Sequence, residues 1–256
     1  VVFLIDQSDS MAPTFDEVKE NISYFLDGLK LEEDAEWDVR YDFIAHCASQ
    51  EADGVILSAQ SINHYDQKLF AALYQSTYPE HFVGMNVKAD FFTSDIERLQ
   101  SSIQDLEADH DEATLFALDC ALDLPWRLDP DCHRVIIMLS DEPFETGIYR
   151  EPQLDNVKNL MHKTMKNQIE LFVYAPKSPV YMQLARVPKS TVVTIPFVDD
   201  GMAAVDFSKI LHDIGSTVSS TNCRNKNDFS VDPLFRQHIW GGVNGSTGIM
   251  TGGDGK

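Results

Sequence analysis

Short runs of apolar residues alternate along the chain with longer segments whose apolar residues recur at helical spacing. The runs at residues 1–5 and 135–139 are continuous, which predicts strands buried on both faces, as central parallel strands are. Residues 169–174 and 191–198 predict two further strands. We therefore expect a largely parallel sheet at the centre of the protein.

Helical patterns fill the intervals between these strands. Thr14 and Glu17 form a capping box at the head of an apolar stripe, which predicts the start of the first helix. A second apolar stripe predicts an amphipathic helix over residues 95–107. Residues 115–124 are almost wholly apolar, so we predict a buried helix there that ends before Pro125.

The remaining patterns complete an alternation of strands and helices. Residues 36–47 alternate apolar and polar positions, which predicts a half-buried strand. Residues 53–59 predict a short partner strand after a tight turn, so we expect one antiparallel edge strand. Pro152 opens another helix, and residues 206–214 predict the last one. The pattern predicts an α/β fold with a doubly wound, mostly parallel sheet flanked by helices.

Two segments lack a sustained pattern. Residues 60–93 hold aromatic residues and two histidines without any period, so we interpret them as an insertion. Residues 216–256 are rich in Ser, Thr, Asn and Gly, which is typical of a flexible C-terminal arm. We therefore predict one domain over residues 1–215, followed by the arm. We expect the insertion or the arm to cover an apolar face or contact a partner.

Charge excludes some classes of partner. The chain has 256 residues, with 20 Lys and Arg against 41 Asp and Glu, and a net charge of −21. Such a charge repels nucleic-acid phosphates and anionic membranes, so neither is an expected partner. It favours cations or basic protein surfaces instead. The sequence leaves the oligomeric state open.

The apolar runs and the cysteines indicate in which cellular compartment the protein is expected. No run reaches about 18 apolar residues, so we predict no transmembrane helix. The four cysteines are scattered and form no C-x-x-C pair: they are Cys47, Cys120, Cys132 and Cys223. This usage is typical of free thiols in a reducing compartment, so we expect a cytoplasmic protein.

Polar side chains follow two of the buried strands. Asp6, Ser8 and Ser10 come after the first strand, and Asp141 comes after the strand at 135–139. In open α/β sheets, ligands bind outside the carboxyl ends of the strands, so these side chains should meet in one cleft. Oxygen donors without thiolate or imidazole suit Mg²⁺ or Mn²⁺.

These residues resemble the von Willebrand factor type A (vWA) domain with its metal-ion-dependent adhesion site. The family's D-x-S-x-S motif is matched by Asp6, Ser8 and Ser10. Its threonine before a buried helix is matched by Thr114, and its aspartate after the fourth strand by Asp141. The resemblance implies that the hydroxyls bind Mg²⁺ or Mn²⁺ directly and that the two aspartates bind it partly through water. A Glu or Asp of a protein partner would complete the coordination.

The resemblance covers about residues 1–215, and this chain departs from the family pattern at two positions. Asp9 stands where the family usually has Gly between the serines, and Ala113 stands where it usually has Gly before the threonine. Acidic residues would surround such an ion: Asp9, Glu112, Glu142 and Glu145. Their charge should strengthen cation binding and repel an acidic partner unless the metal is engaged.

The resemblance implies a metal-dependent protein-interaction module and no enzyme. The chain resembles bacterial cytoplasmic members of the family, which often work beside MoxR-type AAA+ ATPases. Others work with kinase and phosphatase partners in stress and conflict systems. This implied role as an adaptor is an analogy at the level of the fold.

Other functions remain open. A metal-assisted phosphohydrolase could use Asp6 as its nucleophile, but that chemistry usually needs a second carboxylate two residues later, where this chain has Ser8. No lysine directly follows a predicted strand to clamp a phosphate, and no Gly-rich phosphate loop is present. A scaffold whose site has lost its metal is a third possibility, which the intact ligand set argues against.

Single residues also allow structural roles. Asp6 alone could cap the following helix, and Thr114 alone is more often a helix N-cap, although it can be both cap and ligand. Four histidines have no mutual metal-ligand spacing, and we assign them surface or structural roles. They are His46, His110, His133 and His162.

Overall fold

The computed structural model describes most of the predicted domain. The described residues are 1–29, 37–49, 54–59, 82–87, 92–104, 113–144, 150–195, 202 and 205–220. Most of the predicted insertion and the arm beyond Ser220 lie outside the described residues, so their predicted roles are untested.

Strands and helices alternate along the described residues. The strands are β1 (Val2–Asp6), β2 (Asp42–Ser49), β3 (Gly54–Ala59), β4 (Phe82–Val87), β5 (Arg134–Leu139), β6 (Ile169–Ala175) and β7 (Ser190–Thr194). The helices are α1 (Ala12–Leu29), α2 (Ile96–Gln104), α3 (Thr114–Leu122), α4 (Arg150–Lys166), α5 (Pro179–Leu184) and α6 (Phe207–Ser220). A short 3₁₀ helix, Asp9–Met11, joins β1 to α1.

The strands form one sheet in the order β4-β3-β2-β1-β5-β6-β7. Five neighbouring strands from β2 to β7 are parallel, which confirms the predicted mostly parallel α/β sheet. The edge differs from the prediction of one antiparallel strand. β3 is antiparallel to β2, and β4 pairs with β3 in parallel, so two strands run opposite to the other five. The outermost strand, β4, comes from within the predicted insertion.

Helices cover both faces of the sheet. All five residues of β1 are buried, and their side chains alternate between two cores. Val2 and Leu4 pack in a core with residues of α3 and α4. Phe3 and Ile5 pack in the other core, with residues of α1, α2 and α6. The doubly wound arrangement explains why the strongest strand signals were unbroken apolar runs.

β2 is buried on both faces, so the prediction of a half-buried strand is wrong. Its polar residues Asp42 and His46 are each 0% exposed. Asp42 accepts hydrogen bonds from the backbone N–H groups of Phe43, at 2.9 Å, and Phe92, at 3.2 Å. The polar positions within β2 therefore bind backbone donors inside the protein, whereas Asp38, which precedes the strand, is exposed and pairs with Arg40 and Arg127.

Helix boundaries differ from the predictions in three places. α1 begins at Ala12, so Thr14 lies inside its first turn and is not its cap. α6 continues to Ser220, and the predicted domain boundary after residue 215 falls inside it. α5 was not predicted, although Ser178 before Pro179 is a start signal. The Ser178 hydroxyl accepts the N–H of Val180 at 3.1 Å.

Two glycines allow α1 and α6 to pack closely. A Cβ atom added at Gly28 would collide with the carbonyl oxygen of His212. A Cβ atom at Gly215 would collide with the carbonyl oxygen of Phe25. Glycine is unfavourable inside helices, and close approach of the two backbones explains both positions. Among the helices of the described residues, none has the length and apolar character needed to cross a membrane.

Candidate metal centre

The fold brings the predicted ligands to the carboxyl edge of the parallel strands. Asp6 is the last residue of β1, and Asp141 lies two residues beyond the neighbouring strand β5. Ser8 and Ser10 lie in the turn between β1 and α1, and their hydroxyl oxygens are 3.2 Å apart. Thr114 is the first residue of α3, a helix that packs against β1 and β2.

Four of these five side chains are almost completely buried. Asp6 is 0% exposed, Ser8 is 2%, and Thr114 and Asp141 are each 1% exposed. Ser10 is partly buried. Burying two carboxylates so close together is unfavourable unless a cation or hydrogen-bond donors compensate.

Asp6 has hydrogen bonds on both carboxylate oxygens. Its Oδ1 accepts the backbone N–H of Ser8 at 2.9 Å, and its Oδ2 accepts the hydroxyl of Ser140 at 2.8 Å. Burial nevertheless raises the pKa of Asp6 to about 7, and the nearby charge of Asp141 raises it as well. The position of Asp6 is therefore fixed, while its negative charge is only partly compensated.

Asp141 and Thr114 have buried oxygen atoms that lack a hydrogen-bond partner within the described residues. These atoms are both carboxylate oxygens of Asp141 and the hydroxyl oxygen of Thr114. Burial raises the pKa of Asp141, while the nearby Ser10 hydroxyl favours its charged form. Leaving a buried polar group unpaired costs about 1–3 kcal/mol, so such atoms call for an explanation. A bound cation would supply one.

The first turn of α3 obtains its hydrogen bonds from other elements. Ala113 occupies the N-cap position and offers no side-chain acceptor. Its N–H donates to Nδ1 of His46 at 3.3 Å, and the N–H of Leu115 donates to Oε1 of Gln153 at 3.0 Å. Burial lowers the pKa of His46 to about 3, so the ring is neutral and can accept this bond. Thr114 is thus not the cap of its helix.

The donor set suits a hard cation. It consists of two carboxylates and three hydroxyls, the oxygen ligands that Mg²⁺ and Mn²⁺ prefer. Within the described ranges, no group of three or more His, Cys, Asp or Glu side chains could hold a metal. Two of the four acidic residues predicted to surround the ion are described: Glu142 is partly buried beside Asp141, and Asp9 lies in the 3₁₀ helix. Glu112 and Glu145 lie outside the described residues.

Three residues next to the ligands were not predicted to take part. Ser140 was visible in the sequence only as the neighbour of Asp141, and it binds Asp6. His46 was assigned a surface or structural role, and it holds the residue before Thr114. Gln153 carries no sequence signal, because its contact depends on how α4 packs against α3.

Comparison with known proteins supports the fold. No protein-family model matches the chain, and no curated protein sequence matches it. Among solved structures, the chain is similar to a von Willebrand factor type A protein from Catenulispora acidiphila. The TM-score is 0.50 and the identity 14%, over 85% of this chain and 42% of that one. The chain thus spans less than half the length of that structure, and the likeness shows the vWA fold alone.

Proposed function

We propose that this chain is a metal-dependent protein-interaction module. In this proposal, a Mg²⁺ or Mn²⁺ ion at the carboxyl edge of the sheet binds a carboxylate of a protein partner. The vWA fold is commonly a protein-interaction module, which supports the general class. The proposal depends on the buried oxygen atoms of Thr114 and Asp141, which lack a hydrogen-bond partner within the described residues and lie close to the carboxylate of Asp6.

The contacts divide the ligands into two kinds. Both oxygens of Asp6 already accept hydrogen bonds, which supports an indirect role through water. Neither oxygen of Asp141 has a hydrogen-bond partner within the described residues, which supports a role as a ligand of the ion or of its water. Ser8, Ser10 and Thr114 supply neutral hydroxyl ligands, as the resemblance to the family implies. Two carboxylates and three hydroxyls leave a position for an acidic partner side chain.

Charge makes the metal necessary for this partner. The chain carries a net charge of −21, and Glu142 adds a negative charge next to Asp141. An acidic partner group is repelled by this field at long range. A divalent cation reverses the sign locally, because it is the largest charge in the site. Binding should therefore depend on the metal.

The proposal assigns no catalytic step to the site. A phosphohydrolase would need Asp6 as an accessible nucleophile, yet Asp6 is 0% exposed and hydrogen-bonded at both oxygens. The resemblance to bacterial cytoplasmic members extends the proposal to an adaptor in a multi-protein system. An AAA+ ATPase, a kinase or a phosphatase would be the kind of partner.

Calorimetric titration of the metal-free protein with Mg²⁺ and Mn²⁺ tests the metal site. We expect Asp141→Asn to lose most of the binding. Asp119→Asn is a matched control, because Asp119 is also buried on α3 but binds Lys163 at 2.6 Å. A pull-down with and without EDTA then tests partner recognition. If the unaltered chain binds neither metal, the metal site is wrong. If it binds metal and captures the same partner in EDTA, recognition lies elsewhere.

A further inference from the structure

We infer that His46 and Gln153 are positioning residues for Thr114. They take up the N–H groups on either side of Thr114, so that the Thr114 hydroxyl is held at the site and left for a ligand. This inference rests on the proposed metal site for its purpose. The contacts that carry it lie within the chain itself.

At the start of α3, side chains of other elements accept the N–H groups that an N-cap side chain would normally accept. A helix normally begins with a Ser, Thr, Asp or Asn whose side chain accepts an N–H of the first turn. Here the N-cap is Ala113, which has no such side chain. The threonine that follows, Thr114, is the first helical residue, and its Oγ1 has no hydrogen-bond partner within the described residues. The residue best suited to cap the helix therefore does not cap it.

His46 supplies the first of the missing acceptors. It lies within β2, three residues before the strand ends, and is directly opposite Asp6 in the parallel pairing of β1 and β2. Its Nδ1 accepts the N–H of Ala113, and its backbone oxygen accepts the N–H of Gln7 at 2.8 Å. One residue therefore connects the turn that carries Ser8 with the start of the helix that carries Thr114.

Gln153 supplies the second acceptor, from a different element of the fold. It lies on α4 and is 3% exposed, and its Oε1 accepts the N–H of Leu115. The two acceptors come from a strand and a helix that are far apart in the chain. Between them they fix the backbone immediately before and after Thr114. Residues of this kind, which orient a ligand without binding the metal, commonly contribute about 10- to 100-fold to metal affinity.

Amide hydrogen exchange in EDTA tests the positioning without any metal. Gln153→Met keeps the length of the side chain and removes the acceptor, whereas Gln153→Glu retains a carboxyl oxygen. We expect the Leu115 amide to exchange about 5- to 150-fold faster in Gln153→Met, the range that corresponds to a buried N–H left without its acceptor. Gln153→Glu should restore the original rate. Lys158→Met, on an exposed position of α4, is the control and should change nothing.

Metal affinity separates positioning from general destabilisation. We expect Gln153→Met to weaken Mg²⁺ binding by about tenfold when Thr114 is present. In a Thr114→Ala background the same substitution should change affinity by less than about twofold, because there is no hydroxyl left to position. A purely structural role would lower affinity equally in both backgrounds. If the His46→Phe protein folds, it should show the same loss of affinity as Gln153→Met. If it does not fold, the Gln153 variants alone test the positioning role.

The two proposals fail in different ways. Unchanged Leu115 exchange in Gln153→Met, or equal losses of affinity with and without Thr114, overturns the positioning role. Absence of metal binding by the unaltered chain overturns the proposed function. The exchange measurement needs no metal, so it then still shows whether Gln153 holds the residue next to Thr114.

Discussion

The Ser140 hydroxyl donates a hydrogen bond of 2.8 Å to Oδ2 of Asp6, across a sequence separation of 134 residues. The next residue, Asp141, has two carboxylate oxygens that lack a hydrogen-bond partner within the described residues, although the Ser10 hydroxyl lies nearby. One turn after β5 thus fixes the carboxylate at the end of β1 and places the carboxylate of Asp141 beside it. This relationship suits a site in which one aspartate is held in place and the other remains available to a ligand.

Ser140→Ala should destabilise the protein by about 1–3 kcal/mol, because it leaves a buried carboxylate oxygen without its donor. The Ser140 hydroxyl also lowers the pKa of Asp6, so its loss should raise that pKa further. Metal ligands must be deprotonated, and metal affinity should therefore fall as well. Urea unfolding in EDTA measures the first effect and calorimetric titration the second.

Ser208→Ala is a matched control for this prediction. The Ser208 hydroxyl also donates to an aspartate, Asp206, at 2.6 Å, but this pair is exposed on α6. We expect little change in stability and none in metal affinity. Equal destabilisation by the two substitutions would mean that burial of Asp6 is not what makes the Ser140 contact important.

The two strands that precede the candidate site were predicted from the sequence because their environment is uniform. β1 and β5 are buried on both faces, and their unbroken apolar runs predicted both strands and so located the candidate ligands that follow them. β2 is equally buried, yet polar residues interrupt its pattern because Asp42 and His46 bind backbone groups inside the protein. A sequence pattern distinguishes apolar from polar positions. It does not distinguish a polar side chain in water from one that is buried and satisfied.

The sequence identifies the predicted site residues more readily than the residues that support them. Asp6, Ser8 and Ser10 follow one strand at fixed spacing, so a local motif identifies them. Ser140 and Gln153 act through contacts between elements that are distant in sequence, and only the packed structure reveals these. α5 was missed for a different reason, since its start signal was present but its six residues are too few for a clear period.

Asp119→Asn should change how stability depends on pH. Asp119 is 5% exposed and accepts hydrogen bonds from Lys163 and Asn156, yet burial raises its pKa above the value of 3.8. The folded state therefore binds this proton more tightly than the unfolded state does. The contribution of Asp119 to the free energy of unfolding should decrease as pH rises from about 4 towards neutrality.

The measurement is urea unfolding of both proteins between about pH 4 and 7, in EDTA. The stability of the unaltered protein minus that of Asp119→Asn should fall with pH. Lys163 stays charged over this range, because the same cluster raises its pKa above 10.5. A difference that grows with pH would show that the ion pair with Lys163 outweighs the cost of burying Asp119.

Gly215→Ala should destabilise the protein by about 1–3 kcal/mol, which is the usual cost of overpacking. In a helix interior, alanine is normally more favourable than glycine by about 1 kcal/mol. The sign of the change in the free energy of unfolding therefore shows whether the close contact between the helices outweighs this preference. Here the new Cβ atom would collide with the carbonyl of Phe25 and force α1 and α6 apart. Thermal unfolding provides the measurement, with Thr217→Ala on the exposed side of α6 as control. A stabilised Gly215→Ala protein would contradict the close packing of the two helices.

Asp141→Ala and Thr114→Ala should affect the proposed site to different extents. Asp141→Ala removes a charged ligand and should abolish most of the metal affinity, whereas Thr114→Ala removes a neutral donor and should leave weaker binding. Metal should also raise the melting temperature of the unaltered protein. At a free concentration 100 times the Kd, it adds about 2.7 kcal/mol of stability by mass action. Melting curves that coincide in excess Mg²⁺ and in EDTA would count against the site.

Partner affinity of the same two variants, at fixed Mg²⁺ and two salt concentrations, tests the link between metal and recognition. Thr114→Ala should bind the partner more weakly and Asp141→Ala hardly at all. A coordinated carboxylate is screened less than an exposed ion pair, so binding by the unaltered protein should tolerate salt. If Asp141→Ala bound its partner as tightly as the unaltered protein, the ion would not be the point of recognition. Residues 60–93, which carry the outermost strand β4, would then be the better candidate.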